Sequence, residues 1–251
     1  MAAAYDDYDY PRYWEKRAYE HQSEVIVLKD FFKRLGGNKK ILEIGAGYGR
    51  LAKVYNKYCS EATLVDPSLG ILQKAKTYLN GEAKKVTFVR STLKNLPAKL
   101  TKKFDVVVLV RVMHHIKDPE LAIKTASRYL PHGGYLILEF ANKLHGKAIL
   151  KNLLSGNFTF PIDIFPQDKR STGNIKKRSI LFLNHHPDIV EATLRDNGFK
   201  IIDKRSVSNI RNSSVKKIFS LKYLTRLEEL IQKPLAKFNF GPSIFILAKK
   251  K

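Results

Sequence analysis

Apolar positions along this chain follow two alternating rhythms. Over residues 12–35, Val25, Leu28, Phe31, Phe32 and Leu35 recur at spacings of three and four, which predicts one face of an amphipathic helix. Gly36-Gly37-Asn38 then supplies a stop of the C-cap kind. Short apolar runs at 41–44, 62–65 and 86–89 read as strands. Helical patterns at 50–58 and 69–79 lie between them, the second closed by Asn80-Gly81. Residues 104–110 form a continuous apolar run, as a central parallel strand buried on both faces requires. A helix is predicted over 119–130, with Asp118 at its N-cap and Pro119 in its first turn. His132-Gly133-Gly134 is a turn, and 135–140 a fifth strand. The strand–helix alternation predicts an α/β, doubly wound parallel sheet.

After Asn142 the rhythm breaks. A helix-like piece at 144–154 runs into an irregular basic loop that lasts to 184, and inserts of that length usually serve a function. A helix at 187–196, stopped by Asn197-Gly198, a strand at 199–203 and a strand at 242–248 complete the pattern. Between those strands, 215–235 reads as a basic amphipathic helix with Ile218, Leu221, Leu224, Leu227 and Ile231 along one stripe. The expectation is one domain in four parts. These are an acidic, tyrosine-rich tail and first helix (1–37), a strand–helix core (38–142), an irregular insert (143–184) and a C-terminal completion of the sheet (185–251).

Composition narrows the setting. A chain of 251 residues, 44% hydrophobic and 27% charged, is that of one ordinary globular domain. No apolar run is long enough to span a bilayer, and no basic-then-apolar leader opens the sequence. Cys59, the single cysteine, has no internal partner for a disulfide, which fits a reducing, cytoplasmic compartment. The net charge of +23 is uneven: residues 1–140 hold 24 Lys+Arg against 15 Asp+Glu, and residues 141–251 hold 22 against 8. Such an excess favours RNA, acidic lipid or a phosphorylated substrate, unless lysine is simply a solubilising surface residue. The helix at 215–235 either lies on an anionic membrane or packs on its own domain.

The candidate chemistry begins at Glu43-x-Gly45-x-Gly47-x-Gly49, between the first strand and the next helix. Glycines there let the chain turn sharply and come close to a ligand. A dinucleotide fingerprint would need glycine at position 50, which is Arg50. Asp66, at the end of the second strand, is placed to accept hydrogen bonds from two ribose hydroxyls.

These residues resemble the class I S-adenosylmethionine-dependent methyltransferases, in particular the broad "type 11" group, over roughly residues 38–142. The stretch 41–49 looks like that family's first motif, so the resemblance assigns Glu43, Gly45, Ala46, Gly47 and Gly49 to the cofactor. Asp66-Pro67 looks like the second motif. Ser91-Thr92-Leu93 is similar to the segment that meets the adenine edge, where the family often has Asp at the position of Ser91. Val110 and Arg111 end the fourth strand, near the sulfonium, although the Arg111 side chain could instead pair with Asp118 or Glu120. The implied fold is Rossmann-like, with seven strands in the order 3-2-1-4-5-7-6, an antiparallel final hairpin and a substrate-capping insert.

The resemblance implies methyl transfer from S-adenosyl-L-methionine, with no metal ion and with a base needed only when the acceptor must lose a proton. Candidate bases are His115 and His186, and candidates for the substrate side are Tyr13, Arg17, Tyr19, His114 and His185. The expected acceptor is a small molecule: a metabolite, lipid precursor or sugar. RNA, bound by the basic C-terminal half, is the alternative acceptor, and a non-catalytic S-adenosylmethionine-binding protein the non-enzyme one.

Overall fold

The computed structural model describes residues 10–80, 86–177 and 179–251. The predicted tail over residues 1–9, and Gly81 of the turn expected after the second core helix, lie outside the described residues. Among the described residues nine strands are formed: β1 (Lys39–Ile44), β2 (Cys59–Asp66), β3 (Val86–Arg90), β4 (Val106–Leu109), β5 (Tyr135–Ala141), β6 (Gln167–Asp168), β7 (Leu183–Asn184), β8 (Phe199–Val207) and β9 (Ser243–Lys250). Seven of them make one sheet in the order β3-β2-β1-β4-β5-β9-β8, in which β9 runs antiparallel to both neighbours. This is the expected order once β6 and β7, which pair only with each other, are counted.

The sheet is covered on both faces, and the pleat sorts its side chains. Leu42, Val107 and Leu136 enter one core layer, while Ile41, Val106 and Ile137 enter the other. All four residues of β4 are buried, which accounts for the unbroken apolar run there. The flanking helices are α1 (Tyr10–Glu15), α2 (Ala18–Leu35), α3 (Ala52–Tyr55), α4 (Leu69–Tyr78), α5 (Pro119–Arg128), α6 (Gly146–Leu154), α7 (Thr172–Lys176), α8 (Pro187–Asp196), α9 (Ser213–Ile218) and α10 (Leu221–Ala236). Gly36, at φ 78°, ends α2 and donates its N–H to Phe32 O. The Asp118 side chain accepts from Glu120 N at the start of α5, as the cap signal predicted.

Three predicted helices differ. The one at 12–35 begins at Tyr10 and breaks at Lys16–Arg17 into α1 and α2. The one at 50–58 shrinks to α3 and a 3-10 turn at Asn56–Tyr58, because the chain is still completing its glycine turn through Gly49. The one at 215–235 splits at Phe219–Ser220, where the Ser220 hydroxyl accepts from Tyr223 N and starts a second helix.

The anticipated apolar stripe is also not what α10 buries. Its inner face is Leu224, Glu228, Gln232 and Ala236, at spacings of four, while Ile218, Leu221 and Leu227 are exposed. Glu228 accepts from Ser208 N (2.7 Å), Asn209 N (3.1 Å), Asn209 Nδ2 (3.1 Å), Gln232 Nε2 (3.3 Å) and the Tyr19 hydroxyl. Donors on β8's exit loop, on α2 and on α10 itself therefore hold that helix to the domain. No described helix is long and apolar enough to cross a membrane.

Candidate functional site

A cavity of about 450 Å³ opens at the carboxyl ends of β1, β2 and β4, where ligands bind in open parallel sheets. Gly45 and Gly47 form its floor, with Asp66 and Pro67 on one side and Ser91, Thr92 and Leu93 beyond them. Arg111, Val112, His115 and Ile116 face these from the exit of β4, and Tyr10 and Ile180 reach in from the N-terminal helix and the insert.

The glycines are required by the geometry. Gly45 has φ 75°, and a Cβ on it would come within 2.3 Å of Val112 Cγ2. A Cβ on Gly47 would sit 3.6 Å from the Tyr10 ring, so its absence keeps a cradle between turn and ring. Asp66 braces the turn from below: Oδ2 accepts from Gly47 N at 3.0 Å, and Oδ1 from Ser68 N at 2.9 Å. Glu43, Ala46 and Val110 lie next door, around a smaller hollow shared with Arg50 and Tyr48. Glu43 is buried and accepts from the Tyr55 hydroxyl at 2.6 Å, and burial pushes its carboxyl up to about 7. Gly49 packs against Leu79 and does not line the cavity.

Above the cavity, Glu24 of α2 is fully buried between two arginines. Its Oε2 accepts from Arg50 Nη2 at 2.5 Å, and its Oε1 from Arg111 Nε at 2.7 Å. Both guanidinium groups lie over the Trp14 ring, Arg50 at 3.6 Å and Arg111 at 5.4 Å from its centroid. Burial works against the Glu24 carboxylate, but the two arginines and their hydrogen bonds outweigh it and hold the carboxyl below its ordinary range. Arg111 therefore pairs with Glu24 rather than with Asp118 or Glu120. Its backbone is left-handed, at φ 63°, and its N–H donates to Glu139 Oε2 at 2.8 Å.

The remaining candidates separate clearly. His115 lines the cavity, and its Nδ1 lies 2.7 Å from Leu181 O. A carbonyl only accepts, so that nitrogen carries the proton and Nε2 holds the ring's lone pair. Burial pulls its pKa below the ordinary value, which keeps the ring neutral. His186 does not line the cavity; Nε2 lies 3.1 Å from Pro161 O and Nδ1 accepts from Asp188 N, capping α8. His185 donates to Met113 O, and buried His114 packs between His115 and Phe182. Tyr19 faces away from the cavity, donating to Glu228 and accepting from Ile210 N. Tyr13 stacks on Tyr10 with Arg17 above its ring, so both support the wall instead of forming it. No cluster of three or more metal-ligating side chains occurs among the described residues.

Tyr10, Ile71, Val112, Ile116, Ile180 and Glu24 were not singled out from the sequence. Only Glu24 left a trace there: it shares a helix face with Leu28 and Phe31, at spacings of four and three, where a carboxylate needs a buried partner.

Comparison with known proteins agrees with this geometry. A family model described as "Methyltransferase domain" matches residues 42–138. The ubiquinone biosynthesis O-methyltransferase of Klebsiella pneumoniae (strain 342) is 26% identical over 159 residues, 62% of this chain and 63% of that protein. The enzyme of the same name from Escherichia coli O157:H7 is 25% identical over 159 residues, 62% and 64% of the two chains. The chain thus spans a little under two thirds of the length of these relatives. Among solved structures, magnesium protoporphyrin IX methyltransferase from Synechocystis PCC 6803 with bound SAH is similar at a TM-score of 0.57 and 20% identity, covering 92% of this chain and 84% of that one. The N-methyltransferase NodS from Bradyrhizobium japonicum WM9 is similar at 0.54 and 12%, covering 96% and 98%. At such identities these structures speak for the fold alone. Residues 42–138 run from within β1 to within β5 and include the glycine turn that floors the cavity, and it is over this stretch that the chain is similar to the methyltransferase domain.

Proposed function

We propose that this protein transfers a methyl group from S-adenosylmethionine to a small-molecule acceptor. The observation that carries the reading is the single cavity that has Gly45, Gly47 and Asp66 on one side and His115 on the other. Its volume suits a nucleoside-sized ligand, and the cradle between Gly47 and Tyr10 leaves room for close approach of a ligand to the backbone. Asp66 would accept the ribose hydroxyls, and Ser91, Thr92 and Leu93 would flank the base. Glu43, Ala46 and Val110 would shape the far end beside Arg111. When bound, S-adenosylmethionine supplies a methyl group on a sulfonium, activated for displacement.

The chain's own work is to hold, align and exclude water. Trp14 and Tyr10, held by Arg50, Arg111 and Glu24, cover one approach to the cavity. The insert 143–184, which brings Ile180 to the wall, covers another and acts as the substrate cap. His115, neutral and with its lone pair on Nε2, would take the proton of an acceptor that must lose one. We assign His186, His185 and Tyr19 to structure. A reducing, cytoplasmic setting suits the lone Cys59, whose half-buried thiol is pushed up to about 11.

The small-molecule reading draws on the mostly apolar lining of the cavity and on relatives named for ubiquinone biosynthesis. The net charge of +23 favours RNA as the competing acceptor. Labelled S-adenosylmethionine supplied with RNA, lipid and small-molecule extract fractions separates the two. Label in the lipid or small-molecule fraction is expected, and label in RNA alone would overturn the proposal. Tight cofactor binding with no transfer to any fraction would point to a binding protein instead.

A further inference from the structure

We propose that α6 and the loop after it, residues 146–165, dock this protein on the surface of an anionic lipid bilayer. Five of the nine residues of α6 are apolar, yet none of the nine is buried. Its outward side chains continue into the loop: Leu154 is 80% exposed, Phe158 73%, Ile162 75% and Phe165 73%. Scattered exposed apolar residues are ordinary, but a run of this density on one short segment marks a surface that something covers.

Charge identifies the occupant. Lys147 and Lys151, at positions i and i+4, rim the apolar side chains of α6, and Lys169 follows the loop. The two acids nearby are already paired. Asp163 binds Lys143 at 2.7 Å, and Asp168 binds Arg170 at 2.7 Å. The surface is thus apolar at its crest and positive at its edge, the composition of a helix that sinks its side chains to the acyl boundary beneath acidic headgroups. A second copy of the chain would bring like charge against like. Single-stranded RNA calls for aromatic platforms in a basic groove, whereas this crest is chiefly leucine and isoleucine. The basic helix at 215–235 is less suited, since α10 is already tied to its own domain through Leu224, Glu228 and Gln232.

The segment is also held at a fixed height. Lys143, itself buried, donates to the carbonyls of Asp163 and Phe165 and lies over the Phe160 ring, and His186 holds Pro161 O. The same insert lines the cavity with Ile180 and meets His115 at Leu181 O. Docking therefore brings the cavity toward the lipid, which, together with the methyl-transfer reading, directs the site to an apolar acceptor dissolved in the bilayer. Docking itself does not depend on that activity.

The test is co-sedimentation of the full chain with vesicles of phosphatidylglycerol and phosphatidylcholine, compared with vesicles of phosphatidylcholine alone. Binding to the mixed vesicles, weakened by salt, is expected. The double variant L154E/F158E should lose about tenfold or more in partitioning, with its thermal unfolding and S-adenosylmethionine binding unchanged. Leu230→Glu, on the exposed face of α10, should bind vesicles as the parent does. Undiminished binding by the double variant, equal loss in Leu230→Glu or equal binding to neutral vesicles would each overturn the proposal. So would displacement of the protein from anionic vesicles by single-stranded RNA, or a dimer in solution that the double variant abolishes.

Discussion

Replacing Glu24 with glutamine should release the N-terminal helix from the cavity. Glutamine keeps the shape of the side chain but removes its charge. Its amide also turns a donor toward one of two guanidinium groups that now face an acceptor. Removing one partner of a buried ion pair costs about 3–5 kcal/mol, because the other charge stays buried without compensation. Arg111 is partly exposed, at 24%, and solvent will screen it, so the lower end of that range applies. For a chain of this size, each kcal/mol corresponds to roughly 2–4 °C in Tm, so a drop of about 6–12 °C is expected. Trp14 is the only tryptophan of the chain, and it is buried under both arginines, which makes its fluorescence a direct reporter. Its emission should shift to the red and become more open to acrylamide quenching in Glu24→Gln, while S-adenosylmethionine affinity falls. The Glu24 carboxyl is held below its usual 4.5, so the stability it adds is present above that pH and disappears only as pH falls through the lower folded value. Parent Trp14 emission should accordingly stay constant between pH 7 and 5 and change only in more acid solution. A variant with unshifted emission and a Tm within a degree or two of the parent would refute the clamp.

Asp66→Ala should weaken S-adenosylmethionine binding by about 1.5–3 kcal/mol, roughly 10- to 150-fold, as loss of a charged hydrogen-bonding partner does; near-parent affinity by calorimetry would count against the pocket assignment. His115→Asn should lower kcat by about 10²–10⁴ while leaving cofactor affinity within a few fold, if the imidazole takes the acceptor's proton. The parent's rate should then rise with pH through a value below 6.5, and a flat profile would exclude that role. Glu43 sits at about 7 in the folded state against 4.5 in the unfolded one, so stability should fall by about 3 kcal/mol as pH rises from 4.5 to 7 and level off above it. Urea unfolding of Glu43→Gln should lack that decline. Lys143→Met should lower stability by about 1–3 kcal/mol, since the carbonyls of Asp163 and Phe165 lose their donor, and should speed proteolysis within 155–166; an unaltered digestion pattern would show that Lys143 does not hold the loop.

The sheet was legible because its strands carry their signal in single residues. The run through β4, the caps at Asp118 and Gly36 and the spacing from Gly45 to Asp66 each depend on local chemistry. The Gly45–Asp66 side of the cavity followed, since backbone turns and one acid compose it. The other half of the site is built from contacts distant in sequence. Tyr10 meets Gly47, Ile180 meets the exit of β4, and Glu24 meets Arg111 across 87 residues. Arg50 shows the difference. Its presence in place of a third glycine argued against a dinucleotide, which was the correct use of a local signal, but its partner Glu24 and the ring it covers were out of reach of that signal.

The histidines are hard to rank from sequence for a related reason. A histidine that the chain order puts after a core strand satisfies any sequence argument for a base, and His115, His185 and His186 all satisfy it, yet only His115 lines the cavity. What separates them is which nitrogen is already engaged. His186 uses both, one to start α8 and one to hold Pro161 O, and His185 gives Nε2 to Met113 O. In His115 the bond to Leu181 O places the proton on Nδ1, and the ring lines the cavity. Lys143 and Glu228 make the same point. Each is a charged residue in a stretch that reads as surface, and each is buried because backbone groups converge on it. Such residues govern the insert and the C-terminal helix here, and they do so by satisfying carbonyl and amide groups that an apolar side chain would leave unpaired. That is why the rhythm of hydrophobic positions, which accounts for the sheet, gave the wrong buried face for α10 and no account of the insert.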